Sequence, residues 1–316
     1  MAQEAIKAHH LPVMAAEVVD LLITDRSGAY LDLTVGLGGH LKALALALEP
    51  TARLIGLDKD AAAVELATRN LSEYQQVRKL IWGSYCDFDL LMAGVAQTGW
   101  DGILLDLGVS SYQLDHPERG FAFRLDAPLD MRFDPTSNAE TAAALINNAS
   151  EEKLREIIWT FGEERQARRI ARAVIKARER DAFRTTGQLA RIVTDAVPGP
   201  FQTKSLARVF QALRIAVNRE LEQLQAVLPK TVKQLKTGGR LAVISYHSLE
   251  DRIVKRFFQK EAKGCVCPPK LPQCACGALP GLKILTRKAL IPNAQEKAHN
   301  PRSRSARLRI AQKVSS

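Results

Sequence analysis

At 316 residues, with 46% apolar and 25% charged side chains, the chain can bury a full core and has the composition of an ordinary globular protein. No apolar run approaches the roughly 20 residues that span a bilayer, and residues 1–10 lack the apolar stretch of a signal peptide. A cytoplasmic protein without a membrane partner is therefore expected, and its formal charge of +11 raises the question of a polyanionic partner.

In chain order, short buried strands are expected at residues 30–33, 53–57, 77–81 and 102–105, separated by helices at 41–48, 61–71 and 88–93. Strands alternating with helices imply right-handed crossovers and a parallel, doubly wound α/β sheet. From about residue 116 to 217 the strand signal almost disappears. Pro117, Pro128 and Pro135 punctuate a loop-rich lead-in to amphipathic helices expected at 151–161, 163–180, 188–195 and 206–217. The capping box Thr185-Thr186-Gly187-Gln188 opens the third of these, and Pro198-Gly199-Pro200 separates it from the fourth. The sheet pattern returns with a helix at 220–235 stopped by Gly238-Gly239, a strand at 240–245 and a helix at 249–258. Segments 283–290 and 306–310 read as a hairpin on the sheet edge. The expected organisation is a discontinuous α/β domain, residues 1–115 and 218–316, interrupted by an all-helical insertion at 116–217.

Within the first half of that domain, Leu31-Asp32-Leu33-Thr34-Val35-Gly36-Leu37-Gly38-Gly39-His40 takes a strand through a glycine turn into a helix. The next strand ends on Asp58, placed to accept the two hydroxyls of a ribose. A dinucleotide fingerprint needs a third glycine where Leu41 stands, so a nicotinamide-dependent oxidoreductase is disfavoured. Asp32 would repel a diphosphate but attract an ammonium group. An open turn, an amine acceptor and a ribose acceptor are what S-adenosylmethionine (AdoMet) requires, and Gly36–His40, Asp32 and Asp58 supply them in order. A second block, residues 101–111, runs a buried strand to Asp106 and on to the polar Ser110, Ser111, Gln113 and Asp115. In open α/β sheets, ligands bind beyond such carboxyl ends. Tyr85 follows the third strand, where it either stacks on an adenine or packs in the core.

The basic residues are clustered. Arg165, Arg168, Arg169, Arg172, Lys176, Arg178, Arg180 and Arg184 crowd one stretch, and Arg302, Arg304, Arg307 and Arg309 crowd another. Clustering of this kind favours RNA phosphates as the partner, although Glu163, Glu164, Glu179 and Asp181 offer some of the first group local pairs. Cys265, Cys267, Cys274 and Cys276 form a Cys-x-Cys…Cys-x-Cys loop. Free thiols are the favoured reading over structural zinc, because a single residue between paired cysteines strains chelation.

The chain closely resembles the bacterial MraW (RsmH) family. The matching blocks are His10-Leu11-Pro12-Val13-Met14, the Leu31–His40 turn, residues 106–115, Arg119-Gly120-Phe121-Ala122-Phe123 and Pro128-Leu129-Asp130-Met131-Arg132. Further matches lie at 210–220, at Ile244-Ser245-Tyr246-His247-Ser248-Leu249-Glu250-Asp251-Arg252, and at Asn300-Pro301-Arg302-Ser303-Arg304-Ser305-Ala306. Tyr85, Ala122 and Arg219 depart from the common Phe, Ser and acidic residues. The resemblance implies a class I AdoMet methyltransferase, a Rossmann-like doubly wound sheet with an inserted helical substrate-recognition domain. It implies AdoMet contacts at Gly38, Gly39, His40, Asp58, Tyr85, Asp106 and Gln113, and methyl transfer to N4 of a cytosine in the decoding region of 16S rRNA. The partner is then small-subunit rRNA or the 30S particle. An Asp/Asn-Pro-Pro-aromatic motif is absent after the fourth strand, so no catalytic residue is fixed; Asp106, Asp130 and His247 are the candidates. Phe121, Phe123, Met131 and Phe133 offer either a stacking surface for the target base or packing of the insertion. The competing reading from another class is a non-catalytic RNA-binding assembly factor that retains an AdoMet pocket.

Overall fold

The computed structural model describes residues 12–93, 99–264, 267, 276 and 279–314. In chain order the elements are α1 (Ala15–Leu22), β1 (Ala29–Asp32), α2 (Gly39–Ala47), β2 (Arg53–Asp58), α3 (Ala61–Asn70), β3 (Val77–Trp82), α4 (Phe88–Leu91) and β4 (Trp100–Asp106). Next come α5 (Ser111–Asp115), α6 (Ala142–Asn148), α7 (Glu151–Gly162), α8 (Ala167–Arg178), α9 (Thr186–Ala196) and α10 (Gln202–Asn218). The chain then forms α11 (Glu220–Gln234), β5 (Leu235–Ser245), α12 (Ser248–Lys263), β6 (Leu282–Ile284), α13 (Ala294–His299) and β7 (Arg307–Lys313). None of the described helices is long and apolar enough to cross a membrane.

The contacts divide the chain into two compact units, Met1–Gly108 with Gln223–Ser316, and Val109–Glu222. The first contains one seven-stranded sheet in the order β3-β2-β1-β4-β5-β7-β6. β1 to β5 run parallel, and β7 inserts antiparallel between β5 and β6. The anticipated hairpin thus exists, with β7 as an inner strand. Side chains alternate between two apolar layers. Leu31, Ile55, Ile103, Leu105, Leu241 and Val243 pack with Leu224 and Leu228 of α11 and Val254 and Phe258 of α12. Tyr30, Leu54, Leu104, Ala242 and Ile244 face the other layer, with Val18 of α1 and Leu41 and Leu44 of α2. Burial on both faces is why these strands read as unbroken apolar runs.

The second unit is helical and has its own core, built from Ile157 and Ile158 of α7, Ile170 and Val174 of α8, Leu189 and Val193 of α9, and Val209 and Leu213 of α10. α9 opens with the expected capping box between Thr185 and Gln188. α5 and α6 are additions to the sequence expectation; Thr141 caps α6 by accepting from the Ala144 N–H. Phe121 and Met131 are buried in this core, and Phe121 and Phe133 rings stack at 5.7 Å. Packing is therefore the role of Phe121 and Met131, which present no open face to a base.

Candidate functional site

β1, β2 and β4 lie side by side, run parallel, and each ends on an aspartate. Parallel pairing carries Asp32, Asp58 and Asp106 to the same edge of the sheet, where open α/β folds bind ligands. Between β1 and α2 the chain turns at Gly36 (φ +51°) and Gly38 (φ +89°), both in the left-handed region. A Cβ on Gly38 would lie 2.7 Å from Leu71 Cδ1 and force that side chain to shift, and the positive φ itself disfavours any residue but glycine.

The turn and the carboxylates hold one another. Gly36 N–H donates to Asp58 Oδ2 at 2.8 Å, and Asp60 N–H donates to Asp58 Oδ1 at 2.9 Å. Thr34 N–H donates to Asp32 Oδ1 at 2.9 Å, while the Thr34 hydroxyl accepts from the Asp106 N–H at 2.6 Å. Thr34 thus links two of the strand ends, a role no sequence signal announced. The Tyr246 phenol, just beyond β5, donates to Asp106 Oδ1 at 2.8 Å. Burial and the neighbouring Asp106 charge push that phenol well above its ordinary range, so it remains a donor.

The charge balance of this cluster is unusual. Asp32 is fully buried and its Oδ2 has no hydrogen-bond partner. Desolvation pushes both Asp32 and Asp58 up to about 6, outweighing the hydrogen bonds that favour their charged forms. His40, 5% exposed on α2, places Nε2 3.4 Å from Asp106 Oδ2, within ion-pair range but too long for a well-formed hydrogen bond, and Nδ1 has no hydrogen-bond partner. Burial alone would lower the imidazole, but the Asp106 and Asp32 carboxylates more than offset it and its affinity for a proton is raised. Buried polar atoms without partners are rare enough to indicate a missing ligand. A site with three carboxylates attracts cations and repels a diphosphate. AdoMet carries an ammonium and a sulfonium and no phosphate, and the residues present fit it.

The other expected residues are placed as follows. Tyr85 is partly buried against the first apolar layer. Gln113 belongs to the helical unit, where its Oε1 accepts from the Ser110 N–H and closes the α5 capping box. Asp130, in the same unit, is clamped by Arg132 through Nε–Oδ1 at 2.8 Å and Nη2–Oδ2 at 2.7 Å. His247 caps α12, its Nδ1 accepting from the Glu250 N–H at 3.4 Å. Of the two catalytic candidates in the α/β unit, Asp106 sits in the carboxylate cluster and His247 at the start of α12. Arg165, Arg168, Arg169 and Arg172 are exposed around α8, Arg172 with Glu151 at 3.8 Å. Arg178 instead caps α6, donating to Ile146 O and Ala149 O. Arg302 and Arg304 are exposed, whereas Arg309 is buried against Asp251 at 2.6 Å. Cys265 and Cys274 lie outside the described residues, and with them the four-cysteine loop.

The family model for the MraW methylase family matches residues 7–314. The chain belongs to that family. It is 47% identical to the ribosomal RNA small subunit methyltransferase H of Heliobacterium modesticaldum, over 97% of this chain and 99% of that protein. Its identity to the protein of the same name from Syntrophotalea carbinolica is 49%, over 96% of this chain and 98% of the relative. A crystal structure of a putative rRNA methylase from Clostridium thermocellum aligns with a TM-score of 0.43 at 11% identity, covering 96% of this chain and 94% of that one. The glycine turn, Asp32, Asp58 and Asp106 all fall inside the segment matched to the MraW methylase family.

Proposed function

We propose that this member of the MraW methylase family uses AdoMet to methylate N4 of a cytosine in the decoding region of small-subunit rRNA, in the cytoplasm. The observation that carries the reading is the convergence of three strand-terminal aspartates and a buried histidine around an open glycine turn. The names of full-length relatives, which act on small-subunit rRNA, support it. Asp32 holds the cofactor's amine, Gly38, Gly39 and His40 form the wall beside it, Asp58 takes the ribose hydroxyls, and Tyr85 faces the adenine. Asp106, steadied by Tyr246 and by the Thr34 hydroxyl on its own N–H, completes the cofactor cradle. AdoMet bound there supplies an electrophilic methyl group on a sulfonium.

The exocyclic N4 is a poor nucleophile because its lone pair is delocalised into the ring. Most of the acceleration must then come from alignment, which is worth about 7–11 kcal/mol when reacting atoms are held in near-attack geometry. N4 would gain the methyl group as the carbon–sulfur bond of the bound cofactor breaks, the electron pair staying on sulfur, and the nitrogen would release its proton to water. The helical unit, Val109–Glu222, is assigned to RNA recognition through Arg165, Arg168, Arg169 and Arg172, and Arg302 and Arg304 to further phosphate contacts. Incubation with methyl-labelled AdoMet and 30S particles, followed by mapping of the labelled nucleotide, tests the whole reading. Label on a decoding-region cytosine N4 is expected; label elsewhere, or on protein alone, overturns it.

A further inference from the structure

A cleft of about 700 Å³ lies in the α/β unit beside the carboxylate cluster, at the junction of α12, α13 and the start of β7. Tyr246, whose phenol holds Asp106, lines it, so cleft and cluster share a wall. Its charge is one-sided. Arg252, Lys255, Lys297, Arg304 and Arg307 line it from three separate segments. Among the described residues, Lys255, Lys297, Arg304 and Arg307 have no ion-pair partner. The one acidic residue lining the cleft, Asp251, is neutralised by Arg309 through bonds of 2.6 and 3.2 Å. Glu250 and Glu296 are likewise engaged, accepting from the Tyr246 and Met14 N–H groups. Ser248, Asp251, Arg252 and Lys255 recur at helical spacing, so one face of α12 forms a wall.

Cations left without partners around a concave polar surface repel one another, an arrangement that a polyanion relieves. We infer that this cleft holds the phosphodiester backbone of single-stranded RNA on the strand that delivers the target base. The inference rests on the rRNA reading above and adds to it where the strand runs. Its position next to Tyr246 and Asp106 places the bound phosphates beside the reacting edge of the sheet, so these contacts orient the strand as well as hold it. A base that must leave its stack to react needs its flanking backbone fixed in this way.

The test uses the full chain and a short, labelled single-stranded oligoribonucleotide, with Kd measured across a series of KCl concentrations. Each phosphate contact on a single strand contributes about 0.7 to the slope of log affinity against log salt. Combining Lys255→Ala, Arg304→Ala and Arg307→Ala should lower that slope by roughly 2. The single variant Lys255→Ala, at an exposed helical position, should lower it by about 0.7 and guards against misfolding of the triple. Wild-type binding with an unchanged slope in both variants overturns the cleft while leaving the rRNA reading intact. A wild-type protein with no salt-dependent affinity for RNA overturns both.

Discussion

Replacing Asp32 by Asn removes a charge while keeping the shape of the site. Asp32 Oδ1 accepts from the Thr34 N–H at 2.9 Å, and an amide oxygen does the same. The amide nitrogen then takes the place of Oδ2, where its N–H groups find no partner either, so an unsatisfied buried donor offsets part of the gain. Burial raises this carboxyl from 3.8 to about 6. At about 1.36 kcal/mol per pH unit, that gap is a cost on the order of 3 kcal/mol for keeping the group ionised in the fold. Between the two values the native protein holds a proton that the unfolded chain releases, so stability falls as pH rises through this window and is level above it. Asp32→Asn escapes that fall. The gain is offset in part because His40 loses one of the carboxylates that favour its charged form. The expected net gain at pH 8 is ~1–3 kcal/mol, which at about 2–4 °C per kcal/mol is a visible rise in melting temperature. At pH 5, where the wild-type group is largely protonated, the rise should shrink markedly. AdoMet affinity, read by calorimetry at pH 8, should fall at least tenfold, or about 1.4 kcal/mol. A variant that melts lower at pH 8, or a difference indifferent to pH, refutes the picture of a strained charge. Unchanged AdoMet affinity refutes its role as the amine acceptor.

Asp58→Ala removes the ribose acceptor and should weaken AdoMet binding at least tenfold by the same calorimetric measurement, about 1.4 kcal/mol; equal affinity sinks that assignment. Gly38→Ala puts a Cβ 2.7 Å from Leu71 Cδ1 at a residue with φ +89°. The left-handed backbone alone costs about 1–2 kcal/mol, so a lower urea midpoint is expected, and wild-type stability would mean that the turn relaxes freely. Reversing Arg168, Arg169 and Arg172 to Glu should reduce RNA affinity and flatten its salt dependence, whereas an unaltered slope assigns those exposed arginines to solvent alone.

The elements most legible in the sequence are those with a local cause. β1, β2 and β4 are buried on both faces and stand out as short apolar runs between helices. The capping box at Thr185 marks α9 because its two hydrogen bonds join residues three apart. Gly238-Gly239 misleads: it reads as a helix stop before a strand, yet β5 already begins at Leu235. The glycine pair instead allows a bulge, where pairing passes from Trp100↔Leu235 to Gly102↔Arg240, with Gly238 at φ +85°. α1 is announced by no capping side chain; Met14 enters it in a left-handed conformation instead. In the site, Asp32 and Asp58 are visible because strand, turn and helix are contiguous. Tyr246 is not, since its bond to Asp106 spans 140 residues and depends on β4 and β5 being neighbours. The arginines divide for the same reason: nothing local separates Arg168, which is exposed, from Arg178 on helix-terminal carbonyls or Arg309 on Asp251.

The placing of β7 bears on how the molecule is made. Leu308 and Ile310 are fully buried and β7 lies between β5 and β6, yet it is synthesised after every other described strand. Until it arrives, β5 presents an open row of backbone donors and acceptors, a surface on which strands of other nascent chains can pair. Vectorial folding can complete the helical unit first, but the sheet that carries the three aspartates closes only once β7 has emerged.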